Sequence, residues 1–447
     1  MKRLHWVLVT LLPLTSHVSR LTAQEGSWKT EGYGYYLEFR SDSLFFHEVT
    51  AVSCIPSYKA VKVDPPAGAR AAYRMAQGNA IFLLIPTDGG RMRLHRNGAA
   101  SDMIMAPTTR PAMCDRPTTD TPESNFDVFA TTWAEQYGFF DLKKADWKAI
   151  VAANRPRITS ASPAESLFAV ISSMIEPLHD AHTFIGAGQV GRFGGLRRTT
   201  NMLERADAPK AYALTETFLS QPVHKFCNGQ LEFSMLGQDI GYLRLRSFSG
   251  YHPEGYDAGL IALEAAMDTI FTGADTWKGM VIDVRINGGG ADPYGLAIAS
   301  RLATQPYLAY TKEARLDPVD PSQWTPGQDS RVLPSTRPGF RGNVALLTGV
   351  LSISAAETFT QALMHRAPKV TRVGENTQGV FSDVLVRSLP NGWRFGLPNE
   401  RFVTDGKTWD GPGIPPDVEV PVFAKADLDA GKDVALAKAI EIVSRKP

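Results

Sequence analysis

Apolar and polar positions along the chain change their rhythm near residue 106. Before it, "YYLEFRSDSLFFHEVTAVSC" carries two aromatic-rich, β-prone runs around a Ser-Asp-Ser turn, and "NAIFLLIP" and "RMRLHR" flank "TDGG" as a second hairpin. These strands predict a β-rich N-terminal module over 24–105. "APTTRPAMCDRPTTDTPES", residues 106–124, is dense in Thr and Pro and reads as a linker. Helical spacing follows in "NFDVFATTWAEQYGFF", "ADWKAIVAANRPRI" and "SPAESLFAVISSMI", with Ser162, Pro163 and Glu165 in start positions. Residues 125–228 are therefore expected to form a helical cap subdomain. From about 229 strands and helices alternate: "DIGYLRLRSF", "GLIALEAAMDTIF", "GMVIDVRINGGG", "DPYGLAIASRLAT", "NVALLT" and "KVTRVGE". That alternation predicts an α/β core over 229–425, closed by a C-terminal helix in 426–447.

The first residues have a different pattern. "MKRLHWVLVTLLPLTSHVSRLTAQEG" opens with Lys2 and Arg3, runs apolar from Leu4 to Leu14, and offers Ala23 before a cleavage point. The apolar run falls short of the roughly 20 residues a spanning helix needs. Residues 1–23 are expected to be a signal peptide, which places the mature chain, without a membrane span, in the periplasm or outside the cell. Of Cys54, Cys114 and Cys227, an exported protein could pair two. Cys54 with Cys114 is the expected bridge, since both belong to the N-terminal part. Their spacing matches no metal motif and no histidine pair accompanies them, so no metal is expected. Lys and Arg total 47 against 46 for Asp and Glu, which gives no electrostatic case for nucleic acid.

Candidate chemistry sits at two strand-to-helix junctions. "VIDVRINGGG" ends a strand in Gly288, Gly289 and Gly290, where backbone N–H groups could cradle an anion, complete a structural turn or form an oxyanion hole. No Lys-Ser/Thr pair follows, and G-x-G-x-x-G is absent. "LLTGVLSISAAETF" leads from a strand into a helix at Ser354. Ser354-Ala355-Ala356-Glu357 has capping-box spacing. A nucleophile there would gain from the helix dipole, and the Ala355 N–H would face an oxyanion. Ser352, on the loop before, lacks that geometry. A serine needs a base, and "LHDAHTFIG" places His179 and His182 where a helix gives way to a β-prone run.

In order, "LHDAHT", "VIDVRINGGG", "SISAAETF", "VGENTQGVFSD" and the terminal "TWDGPGIPPDVEV" resemble the tail-specific (C-terminal processing) serine peptidases. The closer likeness is to the tricorn-core and interphotoreceptor retinoid-binding protein branch. The resemblance spans residues 125–422, about two thirds of the chain. It implies a crotonase/ClpP-like core of ββα units beside a helical cap, and a peptide or protein substrate with no cofactor. It implies Ser354 as nucleophile, His182 as base, and Gly288 or Gly289 with the Ala355 N–H as oxyanion hole. Two departures matter. The bacterial processing enzymes place a lysine base where Val380 stands, and no lysine lies between Lys369 and Lys407. The tricorn-like branch has a serine where Ala181 stands, and its tail glutamate corresponds to Asp410. Asp410 is thus the third member the resemblance implies, with Asp180 and Glu375 as alternatives. Residues 186–228 are too few for the PDZ module of many relatives, which leaves substrate choice to the N-terminal module or the cleft. A non-catalytic binding protein on the same scaffold is the second reading. An acyl-CoA enzyme of the crotonase type is the third, and it has no need of a Ser-His pair.

Overall fold

A computed structural model describes residues 26–200 and 202–445; residues 1–23, expected to be a signal peptide, lie outside them. The β-rich module is a closed barrel. Eight strands, from Gly26–Thr30 to Met103–Pro107, pair antiparallel in chain order, and the first pairs with the last through Trp28 opposite Pro107. In Ser43–Val49 every second residue is buried, so Leu44 and Phe46 point into the barrel with Leu37, Tyr73, Phe82 and Leu94. Closure leaves no unpaired sheet edge. The expected linker is pinned rather than loose. Cys114 is bonded to Cys54, at the head of strand Cys54–Val63 and 60 residues away, as expected, while Cys227 is free and buried.

Helices Pro122–Gln136, Trp147–Asn154 and Ala164–Ile175 follow. Thr121 caps the first by accepting the Ser124 N–H at 3.2 Å, and Asp146 caps the second by accepting the Ala149 N–H at 2.9 Å. Their buried faces (Phe129, Trp133, Ile171 and Met174 among them) share one cluster with Phe395 and Leu397. The segment expected to be a helical cap is therefore not purely helical. Strands Phe184–Gly186 and Arg192–Gly194 join a four-stranded sheet with Arg394–Pro398 and Val384–Ser388 from the core.

The core holds a seven-stranded sheet in the order His224–Phe226, Leu231–Leu236, Ile240–Leu245, Gly279–Asp283, Asn343–Thr348, Thr371–Gly374, Val418–Glu419. The first two pairings are antiparallel and the remaining four parallel. Gly279–Asp283 is buried along its whole length, as suits a parallel strand covered on both faces. Met280 and Ile282 face helices Tyr256–Phe271, Asp292–Leu302 and Ala355–Ala362. Val281 faces the opposite layer, built from helices Ala208–Glu216 and Val434–Ser444. A further sheet, Gln328–Val332, Tyr307–Ala314, Glu400–Thr404 and Lys407–Thr408, has no counterpart in the sequence reading. No described helix is long and apolar enough to cross a membrane.

Candidate active site

Parallel strands Gly279–Asp283 and Asn343–Thr348 are neighbours, so the loops that follow them leave the sheet at the same end, where α/β proteins place their ligands. The two loops then pair with each other, Ile286 opposite Leu351 and Asn287 opposite Ser352, and the Ile353 N–H donates to the Asn287 carbonyl at 2.9 Å. Each residue of "DVRING" fixes part of this junction. The Arg285 guanidinium is fully buried between Asp283 (2.7 Å) and Asp433 (2.6 Å). Asn287 donates its amide to the Leu245 carbonyl and accepts the Gly289 N–H, both at 2.8 Å. Ser352, buried, donates its hydroxyl to the Val284 carbonyl at 2.7 Å and is structural.

Ser354 sits at the head of helix Ala355–Ala362 with φ 58° and ψ −121°, a conformation that costs about 1–3 kcal/mol for a residue with a Cβ. Surrounding hydrogen bonds hold it there. Its N–H is shared between the Val380 carbonyl at 3.1 Å and Glu357 Oε2 at 3.2 Å. Glu357 also accepts the N–H groups of Gly379 (2.6 Å) and Val380 (2.9 Å). Burial pushes its carboxyl up to about 8, against the pull of those donors. The Glu357 N–H points back at Ser354, with the Ser354 carbonyl at 2.7 Å, and the Glu357 carboxylate accepts the Ser354 N–H, the two halves of a capping box.

Two N–H groups beside Ser354, those of Ala355 and Gly288, donate to nothing among the described residues. Gly289 is different. Its N–H is spent on Asn287, which removes it from the expected oxyanion pair. Its role is clearance: at φ +90°, a Cβ there would lie 2.6 Å from the Ser354 Cβ and 2.9 Å from the Ala355 nitrogen. A Cβ on Gly288 would meet open space, so Gly288 faces the cleft.

That cleft, of about 1170 Å³, is lined by Gly288, Ile353, His182 and Arg197 among others. His182 precedes strand Phe184–Gly186 and is 6% exposed. Asp180 Oδ1 accepts its backbone N–H at 2.9 Å. Burial lowers the imidazole pKa, while the charges of Asp180 and Asp383 pull it up. Its Nδ1 has no hydrogen-bond partner. His179, exposed in a left-handed turn, lines the same cleft, and of the two histidines His182 is the buried one.

Asp410 does not take the third position expected of it. Its Oδ1 accepts the Phe381 N–H at 3.3 Å and its Oδ2 the Thr408 hydroxyl, so both oxygens of the short side chain are engaged elsewhere. Burial raises it to about 7. Of the alternatives, Glu375 accepts the Val422 N–H at 3.1 Å, away from the imidazole. Asp180 is nearest in chemistry, but its Oδ2 takes the Tyr137 hydroxyl at 3.1 Å, with Lys143 Nζ at 3.9 Å. Sequence reasoning passed over Asp383, although "VFSD" lay inside a quoted motif, and it passed over Tyr137 and Lys143, which carry no local signal.

A serine at a strained helix entrance, free N–H donors beside it, and a buried imidazole on the cleft lined by Gly288 and Ile353 are kinds of group that acyl transfer uses. Residues 239–420, less than half of the chain, match Peptidase family S41. The match covers the core and excludes the barrel and His182. A candidate peptidase from Parabacteroides merdae ATCC 43184 has a similar structure, with a TM-score of 0.62 at 23% identity over 74% of this chain and 98% of that one. Mature CPAF gives a TM-score of 0.54 at 12% identity over 72% and 96%. At such identities the likeness concerns the fold alone.

Proposed function

We propose that this chain is an exported peptidase whose crotonase/ClpP-like core cleaves peptide bonds through a Ser354 acyl-enzyme. Ser354 Oγ attacks the scissile carbonyl carbon and its proton passes to His182. The carbonyl oxygen, now anionic, is held by the Ala355 and Gly288 N–H groups. Collapse expels the amine, which takes the proton from His182, and water then releases the acyl group by the same route. His182 acts without a hydrogen-bonded acid, its loop held by the Asp180 carboxylate under its N–H. The observation that carries this reading is the pair of unspent N–H groups flanking Ser354, while those of Ser354, Ala356 and Gly289 are engaged. Export draws its support from residues 1–23 and from the Cys54–Cys114 bond, which suits an oxidising compartment.

The test is fluorophosphonate labelling with site mapping, paired with digestion of denatured casein. Ser354 should carry the label, and Ser354→Ala should lose both label and fragments. Labelling elsewhere, or fragments that survive Ser354→Ala, would sink the proposal. One observation favours a binding protein instead: the unpartnered Nδ1 of His182 beside Ala181. That reading expects peptide retention with no fragments from the unmodified chain.

A further inference from the structure

We propose that the N-terminal barrel binds a small apolar molecule with one hydrogen-bond-donating end, an amine or an alcohol. The barrel interior is not filled. A cavity of about 300 Å³ remains, walled by Tyr35, Phe46, Tyr58, Phe82, Leu94 and Met103. Eight strands give a barrel just wide enough for side chains or for one small ligand. A volume at the low end of ligand pockets, with mostly apolar walls and few polar groups, suits a ligand of one or two rings or a medium alkyl chain. A peptide is excluded as occupant by the pairing: every barrel strand has two partners, so no strand can be added.

The polar end is read from the floor, which the peptidase core supplies as Lys312, Asp383 and Glu400. Lys312 Nζ reaches Asp383 Oδ2 at 3.0 Å and Glu400 Oε1 at 3.2 Å. Glu400 is further engaged by the Tyr33 hydroxyl at 2.7 Å and the Asp383 N–H at 2.9 Å. Arg96 approaches Asp383 Oδ2 at 3.8 Å. Asp383 Oδ1 accepts no hydrogen bond among the described residues, and the side chain keeps 42% of its exposure. The unspent group on the floor is thus a carboxylate oxygen, which a donor satisfies and a carboxylate-ended ligand would meet with repulsion. Ala80, Ala99 and Ser101, small residues in the loops at the same barrel end as Tyr33, line the cavity beside this floor.

The experiment titrates the full chain with 1-aminoanthracene, an aromatic amine that fluoresces in apolar surroundings. A saturable one-site rise is expected, with octylamine displacing the probe at about tenfold lower concentration than octanoate. Ala99→Trp, which narrows the cavity beside the floor, and Phe82→Trp, which fills it between the strands, should each weaken binding about tenfold or more with circular dichroism unchanged. Ser354→Ala should bind as the unmodified chain does, which separates this site from the cleft. If Phe82→Trp fails to fold, Ala99→Trp in its half-buried loop, outside the barrel strands, still decides. Absence of saturable binding, equal displacement by octanoate, or binding indifferent to Ala99→Trp would overturn the proposal.

Discussion

His182 stands between burial, which opposes a positive charge, and two carboxylates, which favour one; burial is the larger influence and holds the imidazole below its usual 6.5. The base is therefore neutral, and ready to accept a proton, through the neutral range. The acid limb of kcat/KM should have its midpoint below pH 6.5, measured on a peptide substrate cut at Ser354. Stability follows the same sign. A histidine depressed in the folded state contributes stability that is present above pH 6.5 and lost as pH falls through the folded value. Urea midpoints of the unmodified chain should fall between pH 7 and 5 more steeply than those of His182→Gln. A kinetic midpoint above 6.5 would mean that Asp180 and Asp383 outweigh burial. Ser354 shows the same economy of position at the backbone, its positive φ being held by Val380 and Glu357 rather than by any property of serine.

At the level of elements, the site depends on Arg285 more than its distance from the chemistry suggests. The guanidinium ties the end of strand Gly279–Asp283 to Asp433, and Asp433 in turn caps helix Val434–Ser444 by accepting the Leu436 N–H at 3.0 Å. Phe423 lies beneath it, 4.1 Å from the guanidinium carbon. Arg285→Met should cost about 3–5 kcal/mol, because Asp283 and Asp433 stay buried without a partner. Urea denaturation reads the loss, and adding Asp283→Asn and Asp433→Asn should restore most of it. If Arg285→Met alone is neutral, the pair is not holding the junction. The core strands were legible because burial on both faces leaves uninterrupted runs such as "MVID" and "VALL". Ser354 and Gly288 fall at strand-to-helix junctions that the pattern marks, and His182 just ahead of a strand that it also marks. The barrel's strands could be read, but its closure could not, since pairing Trp28 with Pro107 leaves no local trace. Strand Tyr307–Ala314 was missed for a related reason. Its partner Glu400–Thr404 is remote, and it buries Lys312 where alternation suggests a surface position. Asp410 has the chain position of a triad acid, but nothing in "TWDGPG" says that Thr408 and Phe381 consume its oxygens.

Across the whole molecule, Lys312 is the cation on which barrel, core and cleft converge. It neutralises Asp383 and Glu400; Tyr33 reaches Glu400 from the barrel, and Asp292 begins the helix bonded to Thr358, four residues past Ser354. Lys312 is held above its usual pKa by these carboxylates, and Asp383 is drawn down to about 2. In the unmodified chain Asp383 therefore contributes stability that is present above pH 3.8 and is lost only as pH falls through about 2. Lys312→Met reverses the sign. Glu400 and Asp292, both buried, and the half-exposed Asp383 then repel one another and their pKa values rise above the unfolded ones, so the variant should lose stability at pH 8 and recover part of it toward pH 5. Urea midpoints at the two pH values measure the slope, and a flat response would remove Lys312 from this role. The change should also be felt in the cleft. Asp383 acts on His182 through space, and without Lys312 beside it its charge bears on the imidazole undiminished. The acid limb of kcat/KM in Lys312→Met should accordingly move to higher pH, a shift that simple destabilisation would not produce.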